Sequence, residues 1–355
     1  MHKTLSKRAV LVTSAVILGL VNPIWPLAQE NAPQGGPAGE EWVPPPADAP
    51  QPQPDISTLT PRPMWIEMVK EGLYFIRGPL NWCTPGGACS EQWGDDGVVH
   101  EPGDVAVRVT DDGVILVDAK FADNVEDVLR LVSSVTDQPV RYVLTTHHHG
   151  DHNGGIGEMM ERGIEVISQD NLREAYDRVT RREGDSPRVT FGDFGAIYLG
   201  NTKVEMHHLV NSHTDGDTVV YFPDLKVVHT GDVVIDGMPH IDYPEGGSAA
   251  GWVDAVYDIL KLDFDTAIPG HGRLLTKDEV REYAHKMETM NERMKDIVRR
   301  GVPKEQAFDE LQLEDIGWAG TVSTGTFRQL DVSSYYDEMA AILAAEDTIT
   351  REAQQ

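Results

Sequence analysis

The chain of 355 residues is short of cysteine, of basic side chains and of long apolar runs. Its cysteines are Cys83 and Cys89, and no histidine lies beside them to complete a metal site on that pair. Neither lies near the amino-terminal apolar segment, so lipid attachment is not indicated. Lysine and arginine number 30 against 58 aspartates and glutamates, a formal charge of −28. A surface of that sign repels phosphate backbones and anionic lipid. This argues against nucleic acid as a partner and for a neutral or cationic small-molecule substrate. The amino-terminal apolar run, Ala9 to Val21, has 13 residues, against the roughly 20 of a membrane-spanning helix. No internal repeat is found.

What is present comes in blocks. Lys3, Lys7 and Arg8 precede the apolar run, the order of a secretory signal over residues 1–28. Cleavage after Ala28 is expected, although Pro26 fits the small-x-small pattern poorly; an uncleaved amino-terminal anchor is the alternative. Export would make the protein periplasmic or secreted, with no stable membrane insertion once the signal is removed. In such a compartment the cysteine pair predicts a Cys83–Cys89 disulfide, with two free thiols as the alternative. Residues 29–63, rich in proline, glutamine, alanine and glycine, read as an extended tether.

Residues 64–275 carry the folded domain. Val105, Val107 and Val109 alternate before an Asp112-Gly113 turn and a buried strand from Val114 to Val117, ending at Asp118. Val125, Val128, Leu129, Val132 and Val135 follow at helical spacing, and a strand comes next. Strands and helices keep alternating, which defines an α/β class. His207 and His208 are adjacent on a strand and face opposite ways, so both are taken as structural. The basic stretch Arg181, Arg182 and Arg188 is a solvated loop or a substrate-facing rim. His240 and Tyr243 lie in the loop DGMPHIDYPEGG and are read as exposed. Residues 276–355 form a helical extension, opened by a Thr276–Glu279 capping box and an apolar stripe from Val280 to Ile297. A shorter amphipathic helix around Tyr335 and Met339 follows.

The densest chemistry lies in VLTTHHHGDHNGG, residues 143–155. An apolar strand ends in Thr145-Thr146, and His147, His149, Asp151 and His152 follow within six residues. Alternate residues of an extended segment point the same way, so His147 and His149 can grip one cation while His148 faces away. Gly150 permits a sharp turn that frees Asp151 and His152 for a second cation. Imidazole and carboxylate donors suit zinc, with iron or manganese as further candidates.

H-x-H-x-D-H at a strand end, followed by Asn-Gly-Gly, resembles the metallo-β-lactamase fold superfamily of metal-dependent hydrolases. Three later segments match that family in order: NSHTDGD with His213, HTGDVV with Asp232 and IPGHG with His271. The resemblance implies a four-layer αββα sandwich. It also implies one zinc on His147, His149 and His213, a second on Asp151, His152 and His271, and Asp232 between them. Asp151 would orient a zinc-activated water, whose pKa falls to about 7, against an ester, thioester, lactone or amide bond, β-lactam included. Asp118 would support the site from behind, or simply end a turn. Members with a cysteine ligand would place it at Asp232, so the aspartate resembles the glyoxalase II, lactonase and phosphodiesterase branches. The alternatives are an iron-dependent persulfide dioxygenase and a non-catalytic metal-binding module.

Overall fold

A computed structural model describes residues 63–78, 81–82, 99–100, 102–179, 186–318 and 332–353. The secretory signal, the Cys83–Cys89 pair and Arg181–Arg182 lie outside the described residues, as does the tether except for Pro63.

Two sheets lie face to face. The first has seven strands: β1 (Trp65–Lys70), β2 (Leu73–Arg77), β5 (Val105–Thr110), β6 (Gly113–Val117), β7 (Val140–Leu144), β8 (Glu165–Gln169) and β9 (Val189–Phe191), in that spatial order. The second has six: β10 (Phe194–Leu199), β11 (Thr202–His208), β12 (Thr218–Phe222), β13 (Val227–His229), β14 (Thr266–Ile268) and β15 (Leu275–Thr276). A separate ribbon pairs β3 (Asn81–Trp82) with β4 (Val99–His100).

The two-residue period of the strands sorts their side chains. Leu73, Phe75, Ile115, Val117 and Leu144 of the first sheet meet Val204, Met206, Val220 and Phe222 of the second in one buried cluster. The alternate residues, Ile76, Val114, Leu116 and Val143, face outward against α1 (Val125–Ser133), α3 (Ile156–Glu161) and α4 (Asp170–Val179). Both faces of this sheet are therefore apolar, as a sheet under helices requires.

Beyond the second sheet stand α5 (Ala249–Leu260) and α6 (Lys277–Arg299), packed on each other. Ser248 caps α5 by accepting from the Gly251 N–H, and the Thr276–Glu279 capping box opens α6. The predicted stripe from Val280 to Ile297 is buried. After α7 (Lys304–Glu310), α8 (Val332–Ala353) lies against α5, α6 and α7. At 22 residues α8 is nearly as long as the 23-residue α6, not a markedly shorter helix. Of its expected apolar face, Tyr335 and Met339 are buried. Among the described residues no helix is long and apolar enough to cross a membrane.

Strand direction positions the site. β6, β7 and β8 run parallel, as do β13 and β14, so in each sheet their carboxyl ends open at a common edge. Asp118 follows β6, the histidine cluster follows β7, Asp232 follows β13 and His271 follows β14. β12 runs antiparallel to β13, which brings the loop before it, with His213, to the same edge.

Ile115 is fully buried between the sheets. Ile115→Ala should therefore cost about 2–5 kcal/mol through lost burial and a residual cavity. Urea unfolding should show a lower midpoint with an unchanged slope.

Candidate metal centre

The loop after β7 is built by local rules. Thr145 and Thr146 leave the strand, and His149 keeps an extended backbone at φ −61° and ψ 145°. The chain then reverses through one helical turn, α2 (Gly150–Asn153), in place of the sharp glycine bend that the sequence suggested. Asp151 and His152 project from this turn.

Side chains from four separate segments converge here. The donor atoms of His147, His149, His213 and Asp232 lie within 4.8 Å of one another, and so do those of Asp151, His152 and His271. His213 Nε2 is 3.0 Å from His149 Nδ1. His152 Nε2 is 3.2 Å from His271 Nε2, which stands 3.3 Å from Asp151 Oδ2. Asp232 lies between the groups: Oδ2 is 3.8 Å from His147 Nε2 and 3.6 Å from His213 Nε2, while Oδ1 is 3.0 Å from His152 Nε2 and 3.3 Å from His271 Nε2.

The outer nitrogens of four imidazoles are fixed by oxygens. A ring nitrogen facing a carbonyl or carboxylate carries the proton, which leaves the other with its lone pair when the ring is neutral. His213 Nδ1 donates to the His240 carbonyl at 2.5 Å, His149 Nε2 to Asp242 Oδ2 at 2.7 Å and His152 Nδ1 to Asp118 Oδ2 at 2.9 Å. Thr146 gives its hydroxyl proton to Asp118 Oδ2 at 2.7 Å, so its oxygen accepts from His147 Nδ1 at 3.1 Å. All four inward nitrogens thus face one another or Asp232.

That arrangement fits a bound cation. His147 Nε2 is buried with no hydrogen-bond partner, an expensive state unless something accepts its lone pair. Burial holds His147 and His213 well below the ordinary histidine range, so both are neutral donors. Burial opposes charge on His152 and His271 as well, but Asp232 and Asp151 more than offset it. His152 rises well above the usual value and His271 to about 9. Despite its burial, Asp232 is held well below the carboxylate range by His152 and His271. Positive charge is stabilised in this half of the cluster, whether protons or a metal ion supply it.

Asp118 and Lys120 support the centre from behind. Both take left-handed backbone conformations, φ 66° and 58°, that side chains ordinarily avoid. Besides His152 and the Thr146 hydroxyl, Asp118 accepts from the Thr146 N–H at 2.8 Å and Asn153 Nδ2 at 2.9 Å. The buried ammonium of Lys120 donates to the carbonyls of Pro102 and Gly103 at 3.1 and 2.7 Å. The Gly103 backbone lies against the His152 ring, where any Cβ would collide with the imidazole.

Several expectations are refined. His148 is left out of the two main groups but is nine-tenths buried, its ring centroid 4.8 Å from that of His149. His207 bonds Glu205 and His208 bonds the Asp217 carbonyl, both away from the cluster. His240 is exposed as expected, with its ring centroid 6.2 Å from that of His149. Tyr243 is only half exposed, since its hydroxyl binds Glu338 at 2.7 Å. Sequence reasoning missed Asp242, which lies 93 residues from His149, and Lys120, whose role depends on a backbone that no spacing marks.

Two apposed mixed sheets under helices, with clustered His/Asp donors at one edge, define an αββα fold with a candidate metal centre. Residues 103–271 match the sequence profile of the metallo-beta-lactamase superfamily. It is 27% identical over 179 residues to a metallo-beta-lactamase type 2 of Bacillus sp. (strain 170), covering 49% of this chain and 68% of that one. It is 24% identical over 238 residues to the 2,4-dinitroanisole O-demethylase subunit alpha of Nocardioides sp. (strain JS1661), covering 65% and 69%. A solved metallo-beta-lactamase from Pontibacter korlensis shares the fold at a TM-score of 0.55 and 17% identity, covering 63% of this chain and 99% of that one.

All four partners of Asp118 are donors, so Asp118→Asn must turn an amide N–H toward at least one of them. The expected result is loss of the His152 orientation and a 10- to 100-fold weaker affinity for one metal ion. Chelator competition measures it.

Proposed function

We propose that this protein is a dinuclear zinc hydrolase acting on an ester, thioester, lactone or amide bond of a small molecule. The observation that carries this reading is Asp232. Its two oxygens face different histidine pairs, His147 and His213 on one side and His152 and His271 on the other. One carboxylate so placed can serve two cations at once. His147, His149 and His213 would hold one ion, and Asp151, His152 and His271 the other. Zinc bound there supplies a Lewis acid and a water acidified to a pKa of about 7.

The chain's own contribution is orientation. Asp118, Asp242, Thr146 and the His240 carbonyl hold the rings so that their lone pairs point inward. Trp252, fully buried, packs against His213 with ring centroids 5.9 Å apart. The Asp151 side chain is a fifth exposed, and its Oδ2 lies 3.3 Å from His271 Nε2. On this reading it would orient a water or take its proton on the open side. An aspartate where cysteine-dependent lactamases need a thiol supports ester, thioester or lactone substrates ahead of β-lactams. The basic-then-apolar amino terminus supports export to the periplasm or beyond.

Metal analysis of the purified protein should find about two zinc ions per chain; a single iron without zinc would move the reading to a dioxygenase. Asp232→Ala should lose at least one ion and slow turnover by several orders of magnitude on whichever ester, thioester, lactone or β-lactam proves to be a substrate. His208→Ala, half-buried and outside the cluster, should keep its metal and most of its rate. Equal behaviour of the two variants would overturn the dinuclear reading.

A further inference from the structure

Two atoms of the loop spanning residues 236–247 fix imidazoles of the metal centre. Asp242 Oδ2 accepts a hydrogen bond from His149 Nε2 at 2.7 Å, and the His240 carbonyl accepts one from His213 Nδ1 at 2.5 Å. Asp242 directly precedes a single 3-10 turn, Tyr243–Glu245, and its N–H donates to the His213 carbonyl at 2.9 Å.

The turn is tied to the far end of the chain. Tyr243 donates its hydroxyl to Glu338 Oε2 on α8 at 2.7 Å. The same carboxylate accepts from Ser248 Oγ at 2.5 Å and from the backbone N–H groups of Ala249 at 3.0 Å and Ala250 at 3.3 Å. These amides belong to the first turn of α5, where no intrahelical acceptor exists and negative charge is favoured. Glu338 therefore caps a helix that begins 89 residues earlier. α8 is held there by a second polar link. Tyr335 donates to Asn291 Oδ1 at 2.6 Å, and Asn291 Nδ2 donates to the Ala249 carbonyl at 2.9 Å.

We infer that Glu338 is a positioning residue for the metal centre. Through Tyr243 it seats the turn that aims Asp242 at His149. This rests on the reading of His149 and His213 as metal-holding residues. α8 lies outside the stretch matched by the superfamily, residues 103–271, so the device belongs to this chain's extension rather than to the shared domain.

Glu338→Ala removes the acceptor for all four donors. Tyr243→Phe cuts only the link to the loop and leaves the cap of α5 intact. Imidazole 15N NMR on metal-stripped full-length protein at pH 8 reads the His149 tautomer, and chelator competition on reloaded protein reads zinc affinity. Wild type should show a single tautomer with the proton on Nε2. Both variants should show mixed tautomers and zinc affinity weaker by about tenfold, the lower end of what an orienting partner contributes. Glu338→Gln, which keeps an acceptor oxygen, should lie nearer wild type. A single tautomer and wild-type affinity in Tyr243→Phe would overturn the inference, even if Glu338→Ala melted earlier, since Glu338 would then be only a helix cap. If Glu338→Ala fails to fold, Tyr243→Phe decides alone. If wild type binds no zinc, the metal reading falls, while the tautomer in metal-stripped protein still decides the link.

Discussion

The centre depends on one constraint, that four of its imidazoles donate their outer N–H to a fixed oxygen. A free histidine shares its proton between two nitrogens and rotates. Within the cluster His152 is locked by Asp118, His149 by Asp242 and His213 by the His240 carbonyl. Without those acceptors the inward nitrogens could carry protons and would repel a cation. The donor set can be named from the rings alone, but their readiness for metal is set one bond further out.

The fold exists to put those acceptors in place. Asp118 can reach Thr146, His152 and Asn153 together because β6 and β7 are parallel neighbours whose ends open side by side. The left-handed backbone at Asp118 and Lys120 is the cost of turning the chain beneath the histidine loop. It is tolerated because four donors on Asp118 and two carbonyls on Lys120 hold the conformation. On the other sheet, Asp232 and His271 leave adjacent parallel strands in the same way. Gly270 leaves room for Asp232, since a Cβ there would strike its carboxylate.

Much of this was legible in the sequence, because much of it is local. The period-two pattern of Val105 to Val117, the stripe from Val280 to Ile297 and the Thr276–Glu279 box act through neighbours a few residues apart, and the folded chain keeps them. The seven proposed donor residues were named from short motifs, and the fold brings their side chains together. The three-residue strand β9 was missed because so short a run shows no alternation. Asp242 and Glu338 were missed for a different reason. Their partners lie 93 and 88 or more residues away, and nothing in the flanking sequence marks an aspartate or glutamate as an orienting acceptor. Tyr243 was read as a loop residue because its loop is polar; its hydroxyl is committed to a helix from the end of the chain.

The acidity of the protein bears on its substrate through distance. A formal charge of −28 spread over the surface repels anions at long range, but salt screens such interactions beyond about 8 Å. Inside the centre, two divalent ions matched by the carboxylates of Asp151 and Asp232 would retain about two formal positive charges. The surface and the centre therefore act on different stages. The surface slows the approach of an anion, whereas the centre would bind one tightly after arrival. A neutral substrate that becomes negative during reaction meets neither penalty: it approaches unopposed and gains the favourable field when charge develops. Cleavage of an uncharged ester, thioester or lactone has this course, with negative charge growing on the carbonyl oxygen. On the proposed dinuclear reading, the charge distribution supports the same substrates as the aspartate at position 232, and for an independent reason.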